Sequence, residues 1–430
     1  MKKPEFRGVV ASLPPDKSIS HRAALIGAIS TGETRIENFS SGADNQSTLS
    51  ALSRLGVKIQ QEVSQARRTV VIRSNGLFDL KPSQTPIPCD NSGSTMRMLA
   101  GILAAQPFRS TLVGDSSLMK RPMRRVALPL SQMGASVSLS ENGTAPIEIR
   151  GRKPLSPIAF ETPVASAQVK SCVIFAALHA DGESEISEPI QTRNHTETML
   201  GLLDPRSPET PPKIKVRGLR PLEARDFFVP ADPSAACFLV ALALLSKSPE
   251  LVLKNVCLNP TRTGFLSILS EAGATIRTEN ERTIGGERIG DVVCANASLE
   301  TPLRISDKAL VANAIDELPM LAVLSALATG EFELRNAEEL RAKESDRIAA
   351  LVLNLRAMGY KCEEFSDGFA VGGREKIFNG SIRVKTFSDH RIAMSFGIAS
   401  LFFDSELVLD DRACVVVSFP NFFELIDLLQ

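Results

Sequence analysis

Lys17-Ser18-Ile19-Ser20-His21-Arg22 follows a Pro14-Pro15 turn and runs straight into the apolar stretch Ala23-Ala24-Leu25-Ile26. A lysine at the mouth of a helix, with Ser18 placed to cap it and Arg22 just over one turn further in, makes a site for an anion. Free backbone N–H groups and the helix dipole both favour negative charge there, so phosphate or carboxylate is the expected ligand. Cationic residues recur in comparable polar clusters at Lys120-Arg121, Arg193, Lys343, Arg347 and Arg391. Lys+Arg and Asp+Glu both number 49, so this grouping points to two anionic groups held locally. The same balance argues against a broadly basic nucleic-acid-binding face.

Acid–base candidates are Asp316, Glu344 and Asp389. In Ala314-Ile315-Asp316-Glu317-Leu318-Pro319 the carboxylate opens an apolar helix, where the dipole favours its ionised form and leaves it able to accept a proton. Lys343-Glu344-Ser345-Asp346-Arg347 reads equally as a solvated helix face, and Asp389-His390-Arg391 equally as a structural cap with a buried ion pair. Asn91-Ser92-Gly93-Ser94-Thr95 offers a glycine that lets a ligand approach the backbone, and Ser166-Ala167-Gln168 offers hydroxyl and amide donors. Each of these two reads equally as an ordinary helix cap. No G-x-S-x-G turn, Walker-A sequence or dinucleotide fingerprint occurs. The four histidines show no metal-ligand spacing, so no metal site is expected.

A chain of 430 residues exceeds one ordinary core and implies two domains. Six polar clusters, beginning at Lys17, Asn91, Ser166, Asp232, Asp316 and Asp389, each precede a small-residue-rich apolar helix, at uneven intervals near about 70–75 residues. A second, amphipathic helix ending in glycine follows in most units, as at Leu49 to Gly56, Val126 to Gly134 and Leu351 to Gly359. Strand-like segments such as Thr69-Val70-Val71-Ile72 and Ile147-Glu148-Ile149-Arg150 complete a β-α-β-α-β-β unit. A helix apolar all round must be buried on every side, so an α/β fold is expected with three helices inside a ring of sheets in each domain. The crossings are placed near Pro14-Pro15 and Phe228-Val229, giving residues 15–228 as one domain and 1–14 with 229–430 as the other. Pro205 to Pro212 reads as a loop between hairpin strands. The seven cysteines are scattered and lack a C-x-x-C pair, as free thiols in a reducing cytoplasm would be. No leader is read at Met1-Lys2-Lys3-Pro4, and no apolar run reaches the roughly 18–20 residues of a membrane span.

Seven motifs resemble the 5-enolpyruvylshikimate-3-phosphate synthase family, in that family's order and across nearly the whole chain. They are the Leu13 to Arg22 segment, Asn91-Ser92-Gly93-Ser94-Thr95, Lys120-Arg121-Pro122-Met123, Ser166-Ala167-Gln168-Val169-Lys170, Thr192-Arg193-Asn194-His195-Thr196-Glu197, Lys343-Glu344-Ser345-Asp346-Arg347 and Asp389-His390-Arg391-Ile392-Ala393-Met394. The Arg193 and Ser166-Ala167-Gln168 wording is similar to the second, glyphosate-tolerant-type subgroup. The resemblance implies a two-domain enolpyruvyl transferase fold, three repeats per domain. Its buried helices point their N-termini at an inter-domain cleft that closes over shikimate 3-phosphate and phosphoenolpyruvate. It further implies that Lys17, Ser18, Arg22, Ser166, Ala167, Gln168, Arg193, Asp316 and Lys343 hold shikimate 3-phosphate. Lys17, Gly93, Arg121, Gln168, Arg347 and Arg391 would hold phosphoenolpyruvate, and Asp316, Glu344 and Lys17 would handle protons. It implies no cofactor and no metal, and a cytoplasmic monomer with no nucleic-acid or membrane partner.

Two departures stand out. The better-known subgroup carries a lysine before the final Phe-Pro, where this chain has Cys414-Val415-Val416-Val417-Ser418, and asparagine where it has Glu339. Gly93 is retained, so subgroup likeness does not by itself imply glyphosate tolerance. The nearest rival reading is the related UDP-N-acetylglucosamine enolpyruvyl transferase, which uses a cysteine on a loop around Lys120-Arg121; the nearest cysteine here is Cys89. A non-catalytic anion-binding protein of the same fold is the other rival, against which the joint presence of Lys17, Asp316 and Glu344 speaks.

Overall fold

The computed structural model describes residues 8–10, 13–64, 67–203, 211–246, 250–295, 299–375 and 380–429. Most of the proline-rich loop expected from Pro205 onward lies outside them. The chain divides into two compact units. One comprises Pro15–Val229 with Ile284–Glu287; the other takes the chain up to Pro14, Pro230–Thr283 and everything from Arg288 onward.

Six apolar helices carry the cores: Lys17–Ile29, Gly93–Leu103 and Ala167–Ala177 in the first unit, and Pro233–Leu245, Leu318–Thr329 and His390–Ala399 in the second. Every residue of Pro233–Leu245 is buried, as a sequence without a polar face requires. Small residues let these helices approach each other's backbones. A Cβ on Gly101 would sit 2.1 Å from the Cys172 carbonyl oxygen, so alanine at this position would force apart the Gly93 and Ala167 helices. The second core closes on aromatic edges, with Phe238 and Phe422 T-shaped at 5.8 Å.

Amphipathic helices Ala43–Arg54, Arg124–Gln132 and Arg347–Ala357 are the expected covering elements. The first ends on Gly56 at φ +84°, where the Val57 N–H returns to the Leu52 carbonyl at 3.1 Å; only glycine takes that left-handed position without strain. Among the described residues, four sheets have four strands each. Their shared order places a short strand parallel to the strand after the buried helix, which pairs antiparallel with the last strand of the unit. The third sheet of each unit is reduced, to three strands around Glu183–Ser187 and to two at Ile382–Val384 and Leu407–Leu409.

Two repeats borrow their first strand. The repeat of the Lys17 helix takes Phe227–Phe228, parallel to Thr31–Glu37, and the repeat of the Pro233 helix takes Gly8–Val10, parallel to Leu251–Cys257. Each unit is therefore completed by a piece of chain remote in sequence from the repeat it serves.

Candidate functional site

In the first unit the starts of three buried helices are joined by polar contacts. The Lys17 helix is capped by Asp16, whose carboxylate accepts from the Ile19 N–H at 2.8 Å, not by Ser18. Asp16 has the extended backbone an N-cap needs, following Pro15, whereas Ser18 is already inside the helix. This frees the Ser18 hydroxyl, which accepts from Arg193 Nη1 at 3.2 Å. Lys17 Nζ lies 2.5 Å from Asp44 Oδ2, with 17% of its side chain exposed.

Arg22 is turned inward and held on three sides. It donates to the Ser18 carbonyl at 3.0 Å, to Thr196 Oγ1 at 2.7 Å and to Ser171 Oγ at 2.9 Å. His21, the preceding residue of the same turn, bonds Thr48 Oγ1 at 2.7 Å, and Thr48 reaches Thr95 Oγ1 at 2.6 Å. Burial, reinforced by the Lys17 and Arg22 charges, keeps the His21 imidazole well below its ordinary pKa.

Ser92 and Ser166 are the side-chain caps of the Gly93 and Ala167 helices, so both are structural caps as well as candidate ligands. Gln168 spans those two helices: its Nε2 donates to Ser94 Oγ at 2.9 Å and its Oε1 accepts from Arg97 Nη1 at 2.5 Å. Arg121 is buried and donates to Asn91 Oδ1 at 2.6 Å, whereas its neighbour Lys120 is exposed. A Cβ on Gly93 would lie 3.1 Å from Arg97 Nη1 and 3.4 Å from Arg121 Nη1, so this glycine fits between two guanidinium groups. Lys17, Ser18, Arg22, Gly93, Arg121, Ser166, Gln168 and Arg193 thus gather at helix starts, and Ala167 opens the helix that carries Gln168. Asp44, Arg97, Ser171 and Thr196 belong to the same cluster but were not singled out from sequence. For Arg97 a signal was present: an arginine one turn into an otherwise apolar helix.

The second unit repeats the design with carboxylates. Asp316 does not cap the Leu318 helix; it lies one residue before the helix boundary at Glu317, in the turn that enters it. Arg347 Nη1 donates to its Oδ1 at 3.2 Å, Lys343 Nζ is 4.0 Å from the same oxygen, and Arg391 Nη2 is 3.6 Å from Oδ2. Arg391 Nη1 also donates to the Asp316 carbonyl at 2.8 Å. Arg347 is 1% exposed, which corrects the solvated-face reading of its charged run. It donates to Glu344 Oε2 at 2.7 Å and to Asp389 Oδ2 at 2.9 Å.

Burial works against the Arg347 charge, but Asp389, Glu344 and Asp316 outweigh it and hold the guanidinium proton more tightly than usual. Burial likewise pushes the Asp389 carboxyl up, and Arg347 overrides that and holds it below the ordinary carboxylate range. Asp389 caps the His390 helix through the Arg391 N–H at 2.9 Å, so the cap-with-ion-pair reading holds for this motif. Glu317 and Ser234, also missed from sequence, share a buried hydrogen bond linking the Leu318 and Pro233 helix starts. Arg262 Nη2 completes that link by donating to Ser234 Oγ at 3.0 Å and to Asp232 Oδ1 at 2.9 Å.

Repeated β-α-β-α-β-β units around buried helices, with charge gathered at the helix starts, define the two-domain enolpyruvyl transferase fold. The model of the family EPSP synthase (3-phosphoshikimate 1-carboxyvinyltransferase) matches residues 2–426. The chain belongs to that family. It is 62% identical to the 3-phosphoshikimate 1-carboxyvinyltransferase of Chloroherpeton thalassium and 58% identical to that of Chlorobaculum tepidum, each over 99% of both chains. It is similar to a solved EPSP synthase from Acinetobacter baumannii, with a TM-score of 0.82 and 38% identity over 100% of this chain and 96% of that one.

Proposed function

We propose that the chain transfers the enolpyruvyl group of phosphoenolpyruvate to the 5-hydroxyl of shikimate 3-phosphate and releases phosphate, a step toward chorismate and the aromatic amino acids. The observation that carries this reading is the match of one family over residues 2–426, with the family's motifs at the charged helix starts.

In the first unit, Lys17, Ser18, Arg22, Ser166, Ala167, Gln168 and Arg193 hold shikimate 3-phosphate, while Lys17, Gly93, Gln168 and Arg121 act on phosphoenolpyruvate. Support comes from geometry: Arg193 meets Ser18 directly, and Gly93 leaves room beside Arg121. In the second unit, Lys343 and Asp316 serve shikimate 3-phosphate, and Arg347 and Arg391 serve phosphoenolpyruvate. Asp316 and Glu344 handle protons with Lys17. The 5-hydroxyl loses a proton as its oxygen attacks C2, and C3 gains one to become a methyl group. The tetrahedral ketal then loses a C3 proton as its C2–O bond to phosphate breaks. Positioned carboxylates suit both transfers, and lysines and arginines can neutralise the phosphates without a cofactor.

The same reading takes residues 15–228 and residues 1–14 with 229–430 as domains of three repeats each, in a cytoplasmic monomer. Supporting it, none of the seven cysteines forms a disulfide, and six of them are buried. Among the described residues no helix is long and apolar enough to cross a membrane. The test offers shikimate 3-phosphate and UDP-N-acetylglucosamine separately with phosphoenolpyruvate and measures phosphate release. Release is expected with shikimate 3-phosphate alone and is abolished by Lys17→Met. Release with the nucleotide sugar, with neither acceptor, or undiminished in the Lys17→Met variant would overturn the reading.

A further inference from the structure

A buried ammonium in the first unit is used by nothing described so far. Lys170, three residues inside the Ala167 helix, places Nζ 2.5 Å from Glu188 Oε1 and 2.7 Å from Glu197 Oε1, and all three side chains are at most 3% exposed. Glu188 begins the loop between strand Glu183–Ser187 and helix His195–Leu200, and Glu197 lies in that helix. One lysine therefore ties together a core helix, a loop and a second helix.

Glu188 then grips the loop itself. Its Oε1 accepts from the Thr192 N–H at 3.0 Å and its Oε2 from the Thr192 hydroxyl at 2.6 Å. The next residue is Arg193, whose Nη1 donates to Ser18 Oγ. At the far end of the assembly, Thr196, adjacent to Glu197, accepts from Arg22 Nε. Both arginines assigned above to shikimate 3-phosphate thus border the clamp.

Burying two carboxylates and an ammonium is a poor source of net stability, because desolvation cancels much of the attraction. It does fix geometry: a long arginine on an unanchored loop would lose its orientation, and displacements near 1 Å cost rate steeply. We infer that Lys170, Glu188 and Thr192 are positioning residues that set Arg193 for the phosphate of shikimate 3-phosphate. This rests on the assignment of Arg193 made under the proposed function.

The test measures steady-state kinetics of the full chain. Glu188→Gln keeps the side-chain size but removes the charge; Thr192→Val removes one hydrogen bond and leaves the ion pairs in place. Glu188→Gln is expected to raise KM for shikimate 3-phosphate about 10-fold and Thr192→Val about 2- to 10-fold, the range of one hydrogen bond. KM for phosphoenolpyruvate and kcat should move less than about twofold by the same reasoning. Both changes should lose most of their effect in an Arg193→Ala background. If Arg193→Ala itself leaves KM for shikimate 3-phosphate unchanged, the assignment of Arg193 fails. If Arg193→Ala raises it but Thr192→Val does not, or if the effects multiply in full, the positioning role is overturned. Equal changes in both KM values and kcat would mark a merely structural role and overturn it as well. Should Glu188→Gln fail to fold, Thr192→Val decides alone.

Discussion

Replacing Arg347 by methionine tests how the second cluster is held together. Asp389 is fully buried, and without Arg347 its carboxylate retains the Ser345 hydroxyl at 3.0 Å and the Arg391 N–H at 2.9 Å. Removing one partner of a buried pair costs about 3–5 kcal/mol, because the remaining charge stays desolvated. Asp316 and Glu344 lose a bond each, but their side chains are 13% and 20% exposed, so water offsets part of that loss. At roughly 2–4 °C per kcal/mol for a unit of this size, the thermal midpoint should fall by about 6–20 °C.

The pH dependence separates charge from packing. In the native protein the Asp389 carboxyl is held low, so it adds stability above its unfolded pKa near 3.8 that is lost as pH falls through its folded value. In Arg347→Met, burial is no longer outweighed and the carboxyl rises. Lowering the pH then protonates it and relieves the penalty, by up to about 1.4 kcal/mol per pH unit below its new pKa. Thermal unfolding followed from about pH 8 to about pH 5 should therefore show the variant approaching the parent, and adding Asp389→Asn should restore most of the loss at the higher pH. A deficit that is constant with pH, or smaller than about 1 kcal/mol, would refute the buried-charge account.

Gly93→Ala should raise KM for phosphoenolpyruvate severalfold, since Arg97 must give by a few tenths of an ångström and the new methyl comes into contact with Arg121; at this helical position it should leave the thermal midpoint unchanged or slightly higher. An unchanged KM would remove Gly93 from the site. His21 and His179 are both held neutral by burial, His179 despite contacts to the Phe175 and Leu77 carbonyls that favour its charged form. Below about pH 6.5 the unfolded chain binds protons the folded one refuses, so stability should fall with pH, by at most about 1.4 kcal/mol per pH unit for each histidine and only down to its folded pKa. Urea midpoints between about pH 7 and pH 5 check this, and His179→Gln should flatten the slope; an identical slope would contradict it.

What could be read from the sequence followed the strength of the underlying physics. The six buried helices were legible because a segment apolar all round has one stable environment, and glycines such as Gly56 marked where covering helices stop. Caps were harder. Ser18 has the right chemistry, but the chain enters the helix one residue earlier than that choice requires, and Asp16 takes the position. Asp316 was displaced by one residue for the same reason. Arg97, Asp44 and Lys170 received no role because a single polar residue in a helix acquires meaning only when another element approaches it. The charged run at Lys343 to Arg347 has the pattern of a wet surface, and only tertiary contact with Asp389 reveals that Arg347 is dry.

The borrowed strand at Gly8–Val10 carries a consequence for synthesis on the ribosome. Its partner begins at Leu251, so roughly 240 residues must be made in between, about 12–50 s at ordinary elongation rates. Throughout that interval an early strand waits without its hydrogen-bonding neighbour, exposed to the wrong pairings that free edges invite. The strand that completes the Lys17 repeat, Phe227–Phe228, is made before Leu251. One unit can thus close while the other still lacks most of its chain, and translation order gives the nascent protein a sequence of assembly.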